Sequence, residues 1–267
     1  HNLIGVLRYM KKIAFIGVGN MASAMADGWI ASGEVDPKNM CACAGRFDAL
    51  KERCATRGMD AFETADEVIA SADVIVAGVK PYLIEKVFSG KEDALSGKIV
   101  LSIAWTWDKG KWEALLPGTH HISTVPNIPV SVNAGVIAVE KQNTLNADET
   151  KLIRGLLELL GTPVELDGSL LWVGGTTASC APAFIAVVTE ALADAAVKNG
   201  IPRADAYRIV SAMIAGTGKL QLETGMHPAA LKDAVCSPGG ATIRGVAALE
   251  KAGLRNALIK AIDATLK

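Results

Sequence analysis

The sequence predicts an α/β fold followed by an all-helical one, on three observations. Short apolar runs rich in Val and Ile alternate with helical segments from Lys11 to about Asp167. A glycine-rich turn, Gly17-Val18-Gly19-Asn20-Met21-Ala22, joins the first apolar run to the first helical pattern. Beyond Gly168 the strand signals stop and alanine-rich helical periodicity takes over. Apolar strands between helices make a largely parallel sheet covered on both faces. Residues 10–167 therefore read as a Rossmann-like, doubly wound domain, and residues 168–267 as an all-α domain.

Lys12 to Gly17 (K-I-A-F-I-G) reads as the first buried strand, and Met21, Met25, Trp29 and Ile30 recur at helical spacing after it. Asn39 to Ala44, Val74 to Val79 and Ile99 to Ile103 are further strands; His121 to Val125, Gly135 to Val139 and Pro163 to Leu166 carry weaker signals. Asn146 caps a helix, Glu149 completes a capping box, and Leu152, Ile153, Leu156, Leu157 and Leu160 form its apolar face before Gly161 ends it. In the second half, helices are predicted over Pro182–Asn199, Ala204–Glu223, Pro228–Ala234, Thr242–Lys251 and Arg255–Leu266, with Gly200 and Gly225 stopping the first two.

Composition narrows the function. With 27 basic and 28 acidic residues mixed along 267, the net charge is −1, which argues against a nucleic-acid or polybasic membrane surface. No run of about 18 uncharged apolar residues is evident, so no membrane-spanning helix is expected. His1 to Tyr9 lacks the pattern of a signal peptide; Met10 reads as the natural start, with the nine residues before it a remnant or a mis-assigned leader. The five cysteines form an odd set without metal-ligand spacing. Cys41 and Cys43 face one side of a strand and read as small core residues in a reducing, cytoplasmic setting. His120, His121 and His227 have no third ligand nearby in sequence, so no metal site is expected.

Two segments carry chemistry. In Gly17-x-Gly19-x-x-Ala22, Gly17 allows the tight turn, Gly19 lets backbone approach a pyrophosphate, and the following helix N-terminus faces the anion. At the end of the second strand, where an NAD enzyme carries Asp or Glu, the chain reads Ala44-Gly45-Arg46, with Lys51 and Arg53 downstream. A guanidinium suits the 2′-phosphate of NADP, so NADPH is favoured, with NADH tolerated as the alternative. The second segment is Ser237-Pro238-Gly239-Gly240-Ala241-Thr242, a tight loop leading into an amphipathic helix. Two glycines and a helix N-terminus leave N–H groups open to a carboxylate, flanked by the Ser237 and Thr242 hydroxyls; a polar loop capping a helix is the bland alternative.

The stretch from His227 to Arg255 matches H-P-x-x-L-K-D-x-V-x-S-P-G-G-x-T-I-x-x-x-x-x-L-E-x-x-G-x-R and resembles the signature of the pyrroline-5-carboxylate reductases. Gly17-x-Gly19-Asn20-Met21, Val79-Lys80-Pro81, Ser102-Ile103-Ala104 and Pro126-Asn127-Ile128-Pro129 are similar to that family's motifs, in its order. The resemblance implies NADPH-dependent reduction of Δ1-pyrroline-5-carboxylate to L-proline. It implies that Val79, Lys80, Pro81, Ala104 and Asn127, with Asn20 and Met21, line the cofactor. It further implies that Ser237 and the backbone of Gly239, Gly240 and Ala241 fix the substrate carboxylate, that Thr242 orients the ring nitrogen and its proton, and that helical domains of two subunits intertwine in a homodimer. The chain departs from the family at Ser123-Thr124-Val125, where Arg and Met are common, at Ala178-Ser179-Cys180-Ala181, where Ser-Gly-Ser-Gly is common, and at Trp105-Thr106-Trp107, where small residues stand. These departures bear on substrate affinity and rate more than on fold. The alternatives are another imine reductase, a β-hydroxyacid-type dehydrogenase using Lys198, or a non-catalytic NADP-binding regulatory protein.

Overall fold

The computed structural model describes residues 12–266; the expected start at Met10 lies outside them. The chain forms two compact units that divide between Ser179 and Cys180.

The first unit is built on an eight-stranded sheet: β1 (Ile13–Ile16), β2 (Met40–Cys43), β3 (Asp60–Phe62), β4 (Val74–Ala77), β5 (Ile99–Ser102), β6 (His120–Pro126), β7 (Gly135–Glu140) and β8 (Gly161–Leu166). Their order is β3-β2-β1-β4-β5-β6-β7-β8. Every neighbouring pair is parallel except β6 with β7. Alternating residues of β1 and β4 feed two apolar layers. Ile13, Phe15, Val74 and Val76 face one that contains Met25, Trp29 and Leu156, while Ala14, Ile16, Ile75 and Ala77 face one that contains Phe88 and Trp112. Both faces are thus covered, as continuous apolar runs require.

Helices α1 (Asn20–Ala31), α2 (Phe47–Ala55), α3 (Ala65–Ser71), α4 (Ile84–Phe88), α5 (Lys109–Leu115) and α6 (Ala147–Glu158) connect the strands. The capping box expected at the start of α6 is present, with Asn146 and Glu149 exchanging hydrogen bonds. On the side of the sheet that holds α1 and α6, the indole of Trp29 donates to the Leu156 carbonyl at 2.8 Å. Gly161, at φ +148, opens β8 against the backbone of Gly135, so it starts a strand as well as following a helix.

Helix α7 (Gly168–Lys198) differs from the expected Pro182–Asn199 and carries Pro182 in its interior. Packing outweighs the proline here. Leu171 and Thr176 are buried, and Gly175 lies so close to β6 that an added Cβ would stand 2.6 Å from a Val125 methyl. From Gly168 to Thr189 no residue is charged. Interleaved Ser, Thr and Gly hid this run from the sequence reading. Among the described residues α7 is the one helix long and apolar enough to cross a membrane.

The second unit contains the rest of α7 and helices α8 (Arg203–Thr224), α9 (Pro228–Val235), α10 (Ala241–Lys251) and α11 (Leu254–Thr265). Its buried cluster is small, around Ala193, Ala206 and Val210, whereas Val187, Ile209 and Leu222 are 65%, 56% and 77% exposed.

Candidate functional site

The register sets the C-terminal ends of four strands side by side, Ile16 pairing with Cys43 and Ala77, and Ala77 with Ser102, while Ser102 meets Ser123 in the middle of β6. The chain leaves β1 toward one side of the sheet and returns to β4 on the other, so a crevice opens between their loops, the usual ligand position in such sheets. Gly17, at φ +90, donates its N–H to the Cys43 carbonyl at 2.9 Å, and Gly78 donates to the Ile16 carbonyl at 2.9 Å. A Cβ on Gly78 would stand 2.7 Å from the Gly17 oxygen and 3.3 Å from the Ala22 methyl. Gly78 is a residue the sequence reading passed over; its place immediately before Val79-Lys80-Pro81 was the available signal. Gly19 precedes α1 with no side-chain cap, and a Cβ there would meet nothing within 4 Å. Open backbone at an uncapped helix N-terminus fits the diphosphate of a dinucleotide.

At the end of β2, Val18, Ala44, Gly45, Arg46, Leu50 and Arg53 line a cavity of about 220 Å³. Arg53 is held there by a 2.9 Å hydrogen bond from Nη1 to the Val18 carbonyl. Lys51 is engaged elsewhere, 3.3 Å from Asp48 and over the Phe47 ring. Two guanidinium groups at the cavity fit a 2′-phosphate and leave no carboxylate to favour a free ribose hydroxyl.

Beyond β4, Val79 and Lys80 lead into a short 3₁₀ turn, Pro81–Leu83. Ala104 is buried, its N–H donating to Ser102 Oγ at 3.3 Å. Asn127 is buried, and its amide is already engaged: Nδ2 donates to the Ala178 carbonyl at 3.1 Å and Oδ1 accepts the Val136 N–H at 2.8 Å. The departure at Ser123-Thr124-Val125 is absorbed into packing. Ser123 Oγ donates to the Trp107 carbonyl at 2.7 Å, Thr124 Oγ1 donates to the Ser102 carbonyl at 2.9 Å, and Val125 lies against Gly175.

In the second unit, Ser237 to Gly240 close a tight turn: the Ser237 carbonyl accepts the Gly240 N–H at 3.0 Å, and Gly239 sits at φ +68. Proline at the second position and a left-handed glycine at the third are what such a turn requires. Gly240 precedes α10 without a side-chain cap, so the first N–H groups of Ala241 and Thr242 are not covered by one. Arg244 Nη1 donates to the Gly239 carbonyl at 2.7 Å, a latch the sequence reading missed because it spans five residues of loop and helix.

The remaining candidates have structural partners or none. His120 Nδ1 lies 2.6 Å from Glu149. His121 is fully buried, neither ring nitrogen has a partner, and burial pushes its pKa down to about 4. Lys198 is exposed in the last turn of α7. Cys41, Cys43 and Cys54 are buried, unbridged thiols, and burial pushes Cys43 up to about 12. A larger cavity, about 570 Å³, is lined by Ile122, Val139, Arg154, Leu157 and Glu165, none of them a candidate residue.

Comparison with known proteins covers both units. A family model described as pyrroline-5-carboxylate reductase dimerisation matches residues 169–267, and one described as NADP oxidoreductase coenzyme F420-dependent matches residues 12–105. The pyrroline-5-carboxylate reductase of Treponema pallidum (strain Nichols) is 38% identical over 95% of this chain and 98% of its own length. A pyrroline-5-carboxylate reductase structure from Coxiella burnetii superposes with a TM-score of 0.84 at 29% identity, covering 96% of each chain. The Plasmodium falciparum pyrroline carboxylate reductase, a structure with NADP bound, superposes with a TM-score of 0.83 at 25% identity, again over 96% of each chain.

Proposed function

The chain belongs to the pyrroline-5-carboxylate reductases, and on that premise we propose how its residues divide the work of reducing Δ1-pyrroline-5-carboxylate to proline with NADPH. NADPH, when bound, supplies the hydride that the ring carbon of the C=N bond receives. Gly17 and Gly19, with Asn20 and Met21, hold the diphosphate at the start of α1, and Ala44 and Arg46, joined by Arg53, hold the 2′-phosphate. Val79, Lys80, Pro81 and Ala104 line the nicotinamide end. Asn127 joins them through its backbone, because its amide already binds Ala178 and Val136.

The substrate side rests on one observation, the Ser237–Gly240 turn opening onto an uncapped helix N-terminus. Backbone N–H groups of Gly239, Gly240 and Ala241, with the Ser237 hydroxyl, bind the ring carboxylate. Thr242 hydrogen-bonds the ring nitrogen and orients its proton. A protonated imine accepts hydride far better than a neutral one, yet a threonine hydroxyl is too weak an acid to protonate it alone, so Thr242 works with water as the proton source. Holding the ring at hydride distance supplies most of the acceleration.

The enzyme works as a homo-oligomer of a Rossmann-like domain, residues 10–167, and a helical domain, residues 168–267; the dimer is its basic form. The start of α7 is counted with the helical domain because the matched dimerisation segment begins there, although its first turns pack with the first compact unit. Exposed Val187, Ile209 and Leu222 support this, since a second copy is what covers such a surface. From Ser169 on, the uncharged stretch of α7 lies inside the matched dimerisation segment; its first turns pack on β6, and its exposed remainder belongs to the subunit surface rather than to a membrane span. Five unbridged cysteines, three of them buried, support a cytoplasmic location.

The test follows NADPH absorbance with pyrroline-5-carboxylate, comparing wild type with Thr242→Ala. Turnover in wild type and a kcat loss of about 10- to 100-fold in the variant, the loss of one hydrogen bond to a charged group, are expected. Full activity in the variant would remove Thr242 from the site, and NADPH binding without turnover would move the reaction to another imine.

A further inference from the structure

We propose that Trp107 is a positioning residue for the cofactor, tying the turn after β4 to the loop after β5 so that Pro81 and Ala104 form one preset wall; this rests on the cofactor cleft proposed above. The indole of Trp107 is nearly buried, and its Nε1–H donates to the Pro81 carbonyl at 3.1 Å. Its backbone N–H donates to the Ala104 carbonyl at 3.2 Å, and its own carbonyl accepts from Ser123 Oγ at 2.7 Å. One residue therefore holds both cofactor loops and β6 together.

The segment around it is fixed against its own preference. Thr106 sits at φ +66, a left-handed conformation that a β-branched residue adopts only when its surroundings over-determine it. Those surroundings are visible. Lys111 Nζ donates to the Thr106 carbonyl at 2.6 Å, Trp105 packs edge-on to Trp172 of α7 at 5.0 Å, and Trp107 leans on Trp112 at 5.1 Å. The Ser123 hydroxyl reaches the backbone of residue 107, so β6 holds the same segment from a third side. A wall already in its bound shape loses less conformational freedom when the cofactor arrives.

The test is a calorimetric NADPH titration of the full chain carrying Trp107→Phe, which keeps an aromatic ring and removes the donor. The expected result is an affinity weaker by about 3- to 15-fold, matched by the NADPH KM, with kcat and the pyrroline-5-carboxylate KM within about twofold. Trp112→Phe is the control. It keeps an aromatic ring against Trp107 and removes only an Nε1–H that has no partner, so NADPH affinity should hold. Independently of any variant, saturating NADPH should slow amide exchange in residues 79–83 and 104–108 of the wild type together. The proposal is overturned by unchanged affinity in Trp107→Phe, by equal losses in both variants, or by protection of 79–83 without 104–108. Wild type that binds no NADPH would instead overturn the cofactor reading itself, and this proposal with it.

Discussion

A Cβ added to Gly17 would stand 2.7 Å from the backbone nitrogen of Val79. The loops after β1 and β4 thus touch backbone to backbone, and a left-handed φ of +90 at Gly17 makes the approach feasible. Gly17→Ala is expected to cost about 2 kcal/mol or more of stability and to abolish measurable NADPH binding. Gly19→Ala should behave differently, because its Cβ meets open space. Stability should stay within about 0.5 kcal/mol of wild type while NADPH affinity falls at least about tenfold. Thermal melts with calorimetric titration separate the two; parallel behaviour would contradict the assignment of Gly19 to the diphosphate.

Cofactor choice should follow the cavity at the end of β2. Arg46→Ala is expected to raise the NADPH KM about 10- to 100-fold and leave the NADH KM within about twofold, since only the former carries the 2′-phosphate. Equal changes for both cofactors would place Arg46 outside the site.

Gly240→Ala pushes a methyl group against Ser237, whose Oγ lies inside contact distance of the new Cβ. The pyrroline-5-carboxylate KM should rise about tenfold or more while calorimetric NADPH affinity is unchanged. A fall in NADPH affinity alone would reverse the division of labour between the loops.

Stability should fall on acidification because His121 is buried without a partner. Its folded pKa, about 4, lies below the unfolded value near 6.5, so the native state binds fewer protons between them. Stability is complete above about pH 6.5 and is lost progressively toward pH 4, on the order of 3 kcal/mol in all. Melting temperatures of wild type and His121→Leu from pH 7 to 4.5 check this: the variant's curve should be flatter, and identical slopes would exclude His121 as the cause.

Asn127→Ala should cost about 2–3 kcal/mol by leaving the Val136 N–H and the Ala178 carbonyl without partners. Chemical denaturation measures it, and a loss below about 0.5 kcal/mol would mean water replaces the amide.

What the sequence could disclose was local. The continuous apolar run of Ile13 to Ile16, the Asn146–Glu149 box and the turn signature Pro238-Gly239 each write their geometry within a few residues. β3 escaped because Asp60-Ala61-Phe62 is short and half exposed, and the full length of α7 escaped because Pro182 reads as a start. At the site, the glycines of the first loop could be read directly. The ties from Trp107 to Pro81 and from Asn127 to Ala178 could not, because they join residues 26 and 51 apart whose meeting depends on the register of the sheet.

β8 forms one open edge of the sheet. The Leu160 carbonyl turns to Gly135 and the Leu166 carbonyl to Lys141, so even-numbered residues face β7 and odd-numbered ones face outward. Pro163 therefore puts a gap in the outer row of donors, and Glu165 sets a charge beside it. A foreign strand laid along this edge would find an interrupted ladder, which makes the edge a poor template for sheet-to-sheet aggregation.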